Sequence, residues 1–322
     1  LKNFPDIEYT LGEHKNEDIQ WADIIIKNPA VKPGNPYIEY AYKIGKSVET
    51  DMGIFLQFVK PQQIIGVTGT KGKSTVSSLI YEILKNAGKD TVFAGNIGIS
   101  VLDTVPSIKA NTLVVLEISS FQLESFNKHK VSPRWATITN IYPDHLNYYQ
   151  AIEEYIEAKK VITKYQTGND FLFIRKGDEV TSKREFLDGV KSQIIYFSSG
   201  DLPKDYQPAL PGEHNRENLA AALAISKTFG VEDKQALDSM KDFKGIEFRL
   251  QLIKEADGIK IYNDTAATGP ESGIQAIKTF PGCILICGGM NKGMDYSEYT
   301  KVVSENVKEV FFLEGDSTAE IQ

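Results

Sequence analysis

Cysteine is nearly absent: the 322 residues hold two, Cys283 and Cys287, both in the run GCILICGG. A strand there puts the two thiols on one face. Without His or Cys neighbours they make a poor metal set. They read as buried, reduced residues, and the cytoplasm is the expected compartment. Long apolar runs are missing too: none approaches the roughly 20 residues that cross a bilayer, so no membrane partner is expected. The opening LKNFPDIEYTLGEH lacks a basic segment followed by an apolar one, so it is not expected to be a signal peptide. There is no long basic stripe. Asp and Glu number 43 against 36 Lys and Arg, a net charge of -7, which argues against a nucleic-acid partner. No solenoid repeat or low-complexity tract is visible. An acidic chain that holds a polyanion must do so with local devices: backbone N–H groups, a few placed lysines and metal ions.

What is present is an alternation of strands and helices, in a chain long enough for two or three domains. IIG with Val67, TVFAG, TLVVLEI and ATITN are short continuous apolar runs, as parallel strands covered on both faces require. Between the first two, Val76, Leu79, Ile80, Ile83 and Leu84 fall on one helical face, and Gly88 lies where that helix should end. AIEEYIEAKKVITKY, HNRENLAAALAISKTFG and VEDKQALDSM read as helices, FLFIR and IIYF as strands. A second series starts near Gly258: IKIYND, a helix through SGIQAIKTF, CILICGG, a helix through YSEYTKVVSENV, then EVFFLEG. The first sixty residues offer one strand, DIIIK, and helical stretches in PYIEYAYKIG and DMGIFLQFV, too little for a full α/β domain. The fold class is therefore α/β and multi-domain, with doubly wound sheets. Segments are expected to be lacking at both ends.

GVTGTKGKST, residues 66–75, carries the chemistry. It lies between a strand and an amphipathic helix, where the first helical N–H groups have no partner and the dipole's positive end faces out. Gly69 and Gly72 let the backbone of Thr70 and Lys71 wrap an anion. Lys73 reaches outer phosphates, and the Ser74 hydroxyl, followed by Thr75, holds Mg²⁺. The usual pattern's first glycine position is Val67, with Gly66 one place earlier.

This variant resembles the ATP loop of the Mur ligases, which build the peptide of bacterial peptidoglycan, and of their folylpolyglutamate synthetase relatives. More matches follow in order. LEISSFQLE resembles a segment of the D-glutamate-adding branch; TNIYPDHLNYY, YIEAK, GEHNREN and YNDTAAT resemble further family segments. The resemblance runs from about Ala22 to Glu314. It implies three parts: 1–60, a remnant of a UDP-substrate domain; 61–245, a central ATP-binding domain with a P-loop parallel sheet and helices on both faces; and 246–322, a truncated Rossmann-like domain. It implies a monomer that joins D-glutamate to UDP-N-acetylmuramoyl-L-alanine at the expense of ATP through an acyl phosphate. The alternatives are another amino acid, a folate-type substrate, or a non-catalytic nucleotide-binding relative.

The same resemblance implies roles for single residues. Glu117, at the end of an apolar strand, binds the magnesium between the β- and γ-phosphates. His145 ligates a second magnesium near the attacked carboxylate, with Asp144 beside it as an orienting or capping group. Lys159, which alone reads as a solvated charge on a helix, aligns with a lysine carbamylated by CO₂. Asn215 and Asn218 share a helix face and serve the nucleotide, although Asn215 also reads as a helix cap. Arg249 is brought to ATP by the C-terminal domain, and Asp264 meets its ribose side. Asn96 and the turn at Pro29–Ala30 meet the muramoyl substrate; Thr268 and Lys292 bind the incoming D-glutamate. Ala266 stands where the family has a lysine.

Overall fold

The computed structural model describes residues 7–145, 148–241, 243, 245–267, 269–290 and 294–321. Contacts divide the chain into two compact units, Leu1–Lys73 with Gly88–Tyr196, and Ser74–Ala87 with Phe197–Gln322.

The first unit opens with α1 (Asn16–Trp21), β1 (Ile24–Ile26), α2 (Pro36–Lys43), β2 (Ser47–Glu49) and α3 (Asp51–Phe55). Asn35 caps α2, accepting from the amides of Tyr37 and Ile38, with Pro36 in the first turn where its missing N–H costs nothing. β1 pairs in parallel with β2, which the sequence reading missed.

The central sheet follows: β3 (Ile64–Thr68), α4 (Lys73–Asn86), β4 (Thr91–Gly95), α5 (Val101–Thr104), β5 (Leu113–Glu117), α6 (Ser120–His129), β6 (Trp135–Ile138), α7 (Ile152–Lys164), β7 (Phe171–Arg175), α8 (Arg184–Leu187) and β8 (Gln193–Phe197). The strand order is β4-β5-β3-β6-β7-β8, and every pairing from β4 to β7 is parallel. All of β3 and β6 is buried, which explains their unbroken apolar sequence. The core joins Ile64, Val114, Leu116 and Ile138 to Phe126 of α6 and Tyr155 and Ile162 of α7. Met52 and Phe55 of α3 belong to it as well. After β5 the chain crosses to the other side of β3, so strand order reverses there. The carboxyl ends of β3, β5 and β6 thus frame a crevice of the kind that binds ligands in such sheets. In the α4 segment Val76, Leu79, Ile80, Ile83 and Leu84 are all buried, as their spacing requires.

The second unit continues with α9 (Glu213–Lys227), α10 (Asp233–Lys241), β9 (Gln251–Ala256), β10 (Ile259–Asn263), α11 (Pro270–Thr279), β11 (Cys283–Cys287), α12 (Ser297–Asn306), β12 (Val307–Phe312) and α13 (Thr318–Ile321). β11, α12 and β12 form a parallel βαβ step. β10 pairs instead with β9 in an antiparallel hairpin, and the sequence reading assigned no strand to β9. Cys283 and Cys287 do share one face of β11, with Leu285 between them. They are free and half-buried, not fully buried, because that face packs on a small core around Tyr299 and Val303.

Candidate active site

β3 delivers the chain into Gly69 at φ 145, a conformation that L side chains rarely adopt. A Cβ there would lie 2.0 Å from the Thr139 hydroxyl. The loop therefore lies flat against the end of β6. Lys73, the first residue of α4, folds back: its ammonium donates to the carbonyls of Gly69 (3.0 Å) and Thr70 (2.9 Å). Lys159 of α7 donates to the same Gly69 carbonyl at 2.8 Å. Two amines so meet on one oxygen at the mouth of the loop. Ser74 and Thr75 stand in the first turn of α4.

Lys159 is 1% exposed. Burial, and then the Lys73 charge, push its amine well below the ordinary lysine range; Asp144 and Glu117 pull the other way. Its nitrogen lies 4.6 Å from the centre of the Tyr155 ring. The Tyr155 hydroxyl pairs with the Thr70 hydroxyl at 3.2 Å. Tyr155, Lys159, Ile162 and Thr163 are the buried positions of α7, a helical period that turns a lysine inward among apolar neighbours.

Glu117 ends β5 and is 1% exposed. The β4–β5 register sets Gly95 opposite it, and a Cβ on Gly95 would lie 2.2 Å from the Glu117 carbonyl oxygen. This close approach lets Asn96 fold onto the same residue. The Asn96 amide N–H donates to the Glu117 carbonyl at 2.9 Å, and Nδ2 to Oε1 at 2.9 Å. Oε2 is buried with no partner. Asn96, expected to meet the muramoyl substrate, is here the residue that fixes Glu117. The LEISSFQLE segment also closes its own helix start, since Ser119 and Gln122 form a capping box on α6.

His145 sits beyond β6 with φ 56, a left-handed backbone. Its amide donates to Asp144 Oδ1 at 2.9 Å, a contact between adjacent residues and not a helix cap. Its ring meets Phe121 edge-on at 5.0 Å and Tyr155 at 6.1 Å. Partial burial holds the imidazole below its usual range; Asp144 raises it, while Lys159, Lys73 and Lys71 lower it. The shift favours the neutral ring, the form that ligates a metal.

Elsewhere, Lys27 donates to the carbonyls of Pro29 and Val31, and Asn28 Oδ1 accepts from Ala30, which fixes the Pro29–Ala30 turn. Asn215 and Asn218 pair side chain to side chain at 3.1 Å, both buried. The residue at the N-cap of α9 is Gly212, so Asn215 is no N-cap; its Nδ2 donates to Pro211. Arg249 lies between Phe248 (φ 65) and Leu250 (φ 42), and the Leu250 amide donates to Asp264 Oδ1 at 3.0 Å. Burial raises the Asp264 carboxyl; the Leu250 amide and Arg249 lower it. Thr268 and Lys292 lie outside the described residues.

Among the described residues no three His, Cys, Asp or Glu side chains converge into a self-sufficient metal cluster. A divalent ion here would need phosphate or hydroxyl oxygens as well. The buried, unpartnered Glu117 Oε2 fits such an ion, because a lone carboxylate oxygen inside a protein is costly without a cation. Among the described residues, no helix is long and apolar enough to cross a membrane.

Residues 67–226 match the Mur ligase middle domain. A UDP-N-acetylmuramoylalanine--D-glutamate ligase from Roseiflexus sp. (strain RS-1) is 35% identical over 98% of this chain and 74% of its own length. The enzyme of that name from Borreliella afzelii (strain PKo) is 36% identical over 100% of the chain and 74% of its own. Among solved structures, MurF from Acinetobacter baumannii aligns with TM-score 0.64 at 16% identity, covering 95% of this chain and 84% of that one. MurC from Thermotoga maritima aligns with TM-score 0.63 at 22% identity, covering 93% and 73%. These structural likenesses speak for the fold, and the closer sequence relatives speak for descent: the chain belongs to the Mur ligase family.

Proposed function

We propose that the chain is an ATP-dependent, ADP-forming ligase that adds D-glutamate to UDP-N-acetylmuramoyl-L-alanine in peptidoglycan precursor synthesis, a step tied to cell wall growth, cell shape and cell division in the cytoplasm. The supporting observation is the convergence of Lys73 and Lys159 on the Gly69 carbonyl, with a partnerless Glu117 oxygen and the partly buried His145 ring in the same unit. The relatives' names supply the substrates.

The difficulty of the reaction is electrostatic. The acceptor carboxylate attacks the γ-phosphate, and unit charges ~4 Å apart repel by about 4 kcal/mol at an effective dielectric near 20. A γ-phosphate with two charges doubles this to ~8 kcal/mol, about six powers of ten in rate. The loop of Gly69, Thr70, Lys71 and Gly72 receives the phosphates. Lys73 leaves the Gly69 and Thr70 carbonyls to meet the β- and γ-oxygens. Magnesium, held by Ser74 and Glu117 at one site and by His145 and Lys159 at another, would neutralise the developing charge. Lys159 suits this role as a carbamate, since burial favours the uncharged amine, the form that adds CO₂. Asn96 keeps Glu117 aimed. Asn215, Asn218, Arg249 and Asp264 serve the nucleotide, and Thr268 and Lys292 the incoming D-glutamate. The amine then displaces phosphate from the acyl phosphate through a tetrahedral intermediate. Residues 1–60, 61–245 and 246–322 act as acceptor-binding, ATP-binding and closing domains. Closure excludes the water that would hydrolyse the acyl phosphate.

The test is a panel of radiolabelled amino acids, each offered with ATP and UDP-N-acetylmuramoyl-L-alanine. Incorporation of D-glutamate alone is expected. Incorporation of a different amino acid overturns the assignment. ATP binding without phosphate release would identify a non-catalytic relative, the reading that Ala266 favours.

A further inference from the structure

The segment Thr139–Tyr142, between β6 and His145, touches the nucleotide loop at every residue but one, and none of these contacts has a part in the mechanism above. The Thr70 amide donates to the Asn140 carbonyl at 2.9 Å. The Lys71 amide donates to Asn140 Oδ1 at 2.9 Å, and Asn140 Nδ2 donates back to the Lys71 carbonyl at 3.1 Å. The Thr139 hydroxyl donates to that same Lys71 carbonyl at 2.5 Å. The Tyr142 amide donates to the Thr70 hydroxyl at 3.0 Å, and that hydroxyl lies 3.2 Å from the Tyr142 carbonyl. An asparagine side chain paired to both backbone groups of one residue copies a β-ladder contact, with a geometry that few other side chains reproduce.

Two consequences follow from these bonds. The Lys71 peptide is held at both its N–H and its C=O, so its orientation is set before any anion arrives. A loop whose shape is already fixed costs no reorganisation on binding. Asn140 is also the second residue after β6, and the chain runs from it through Tyr142 to His145. The loop and the histidine turn are thus one hydrogen-bonded body.

We propose that Asn140 is a positioning residue that locks the nucleotide loop to the His145 turn, with Thr70 as the second bolt of the same lock. This rests on the ATP-ligase reading and adds to it a group that touches neither ATP nor the acceptor. Asn140→Asp keeps the size and the acceptor for the Lys71 amide. It replaces the donor to the Lys71 carbonyl with an oxygen that repels it.

The experiment measures MgATP affinity by calorimetry, kcat and the KM of each substrate, and the melting temperature. The variants are Asn140→Asp, Asn140→Ala, Thr70→Val and Thr70→Ser. Loss of two ordinary hydrogen bonds predicts about 30-fold weaker ATP binding for Asn140→Ala; Asn140→Asp, which loses one bond and sets an oxygen against the Lys71 carbonyl, should weaken it by about 10-fold or more. A lower kcat and an unchanged KM for the incoming amino acid should accompany it. Thr70→Val should fail in the same way, and Thr70→Ser, which keeps the hydroxyl, should recover. The double variant Asn140→Asp/Thr70→Val should lose less than the two single losses multiplied, because both act on one lock. Asn140→Asp within about twofold of wild type in ATP affinity and kcat would sink the proposal. So would a Thr70→Ser no better than Thr70→Val, or a rise in the amino-acid KM that matches the ATP effect. If the wild-type chain itself failed to bind ATP, the ligase reading would fall first and this proposal with it.

Discussion

Replacing Glu117 by Gln should make the free protein more stable and the enzyme nearly inert. In the wild-type chain Oε1 is bonded to Asn96, whereas Oε2 is buried without a partner. A buried polar group without a partner costs about 1–3 kcal/mol. Gln retains the Asn96 bond through its own Oε1; its Nε2 takes the place of Oε2, a neutral amide group whose burial without a partner costs less than that of a carboxylate oxygen. The attraction of Glu117 for Lys159 is the smallest of the named influences on that amine, so its loss offsets little. A net gain of about 1–2 kcal/mol corresponds to a rise of about 2–8 °C for a unit of this size. In the presence of MgATP the order should reverse. Wild type gains about 2.7 kcal/mol at a hundred times the dissociation constant, and the variant gains far less. Turnover should fall by about two to three powers of ten, the usual cost of removing one electrostatic stabiliser. Thermal melts with and without MgATP, beside a phosphate-release assay, measure all three quantities. A variant that melts at or below the wild-type temperature without nucleotide, or one that keeps most of its turnover, would refute the idea that Oε2 is held ready for a cation.

Lys159→Met should abolish ligation and flatten the pH dependence of stability. The folded amine sits well below 10.5, so between its folded and unfolded pKa the unfolded chain binds the extra proton. Wild-type stability therefore rises with pH through that window and falls as pH drops towards the folded pKa. Urea midpoints across pH, compared for the two proteins, check the sign. Gly69→Ala forces a Cβ to within 2.0 Å of the Thr139 hydroxyl at a positive φ. It should cost about 2–4 kcal/mol and most ATP affinity, read by denaturant titration and calorimetry. Asp264→Ala should lower kcat more than Asp264→Asn does, because Asn still accepts from the Leu250 amide and holds the Arg249 loop; steady-state kinetics on the pair decides it.

The elements with strong apolar period were legible. Ile64–Thr68, Thr91–Gly95 and Leu113–Glu117 are strands where continuous apolar runs placed them, since burial on both faces leaves no polar position. β9 escaped because Gln251–Ala256 is exposed along nearly its whole length and shows no buried face to read. The loop GTKGKS announced its anion chemistry through residue type alone. Lys159 did not. Its burial follows from the turn of α7 on which it sits, yet local sequence gave a solvated charge. The Asn96–Glu117 pair was out of reach for a different reason: 21 residues separate them, and only the pairing of β4 with β5 brings them together. Asn140 stood in view directly after an apolar strand. Its significance required the distances to Lys71.

Gly69 and Lys159 are 90 positions apart, yet they share a hydrogen bond at the centre of the site. A nascent chain must therefore emerge through α7 before the phosphate-binding turn acquires its second amine. The turn and its second amine are thus joined only once β3, β6 and α7 have packed together, a non-local contact that local chain order alone does not make.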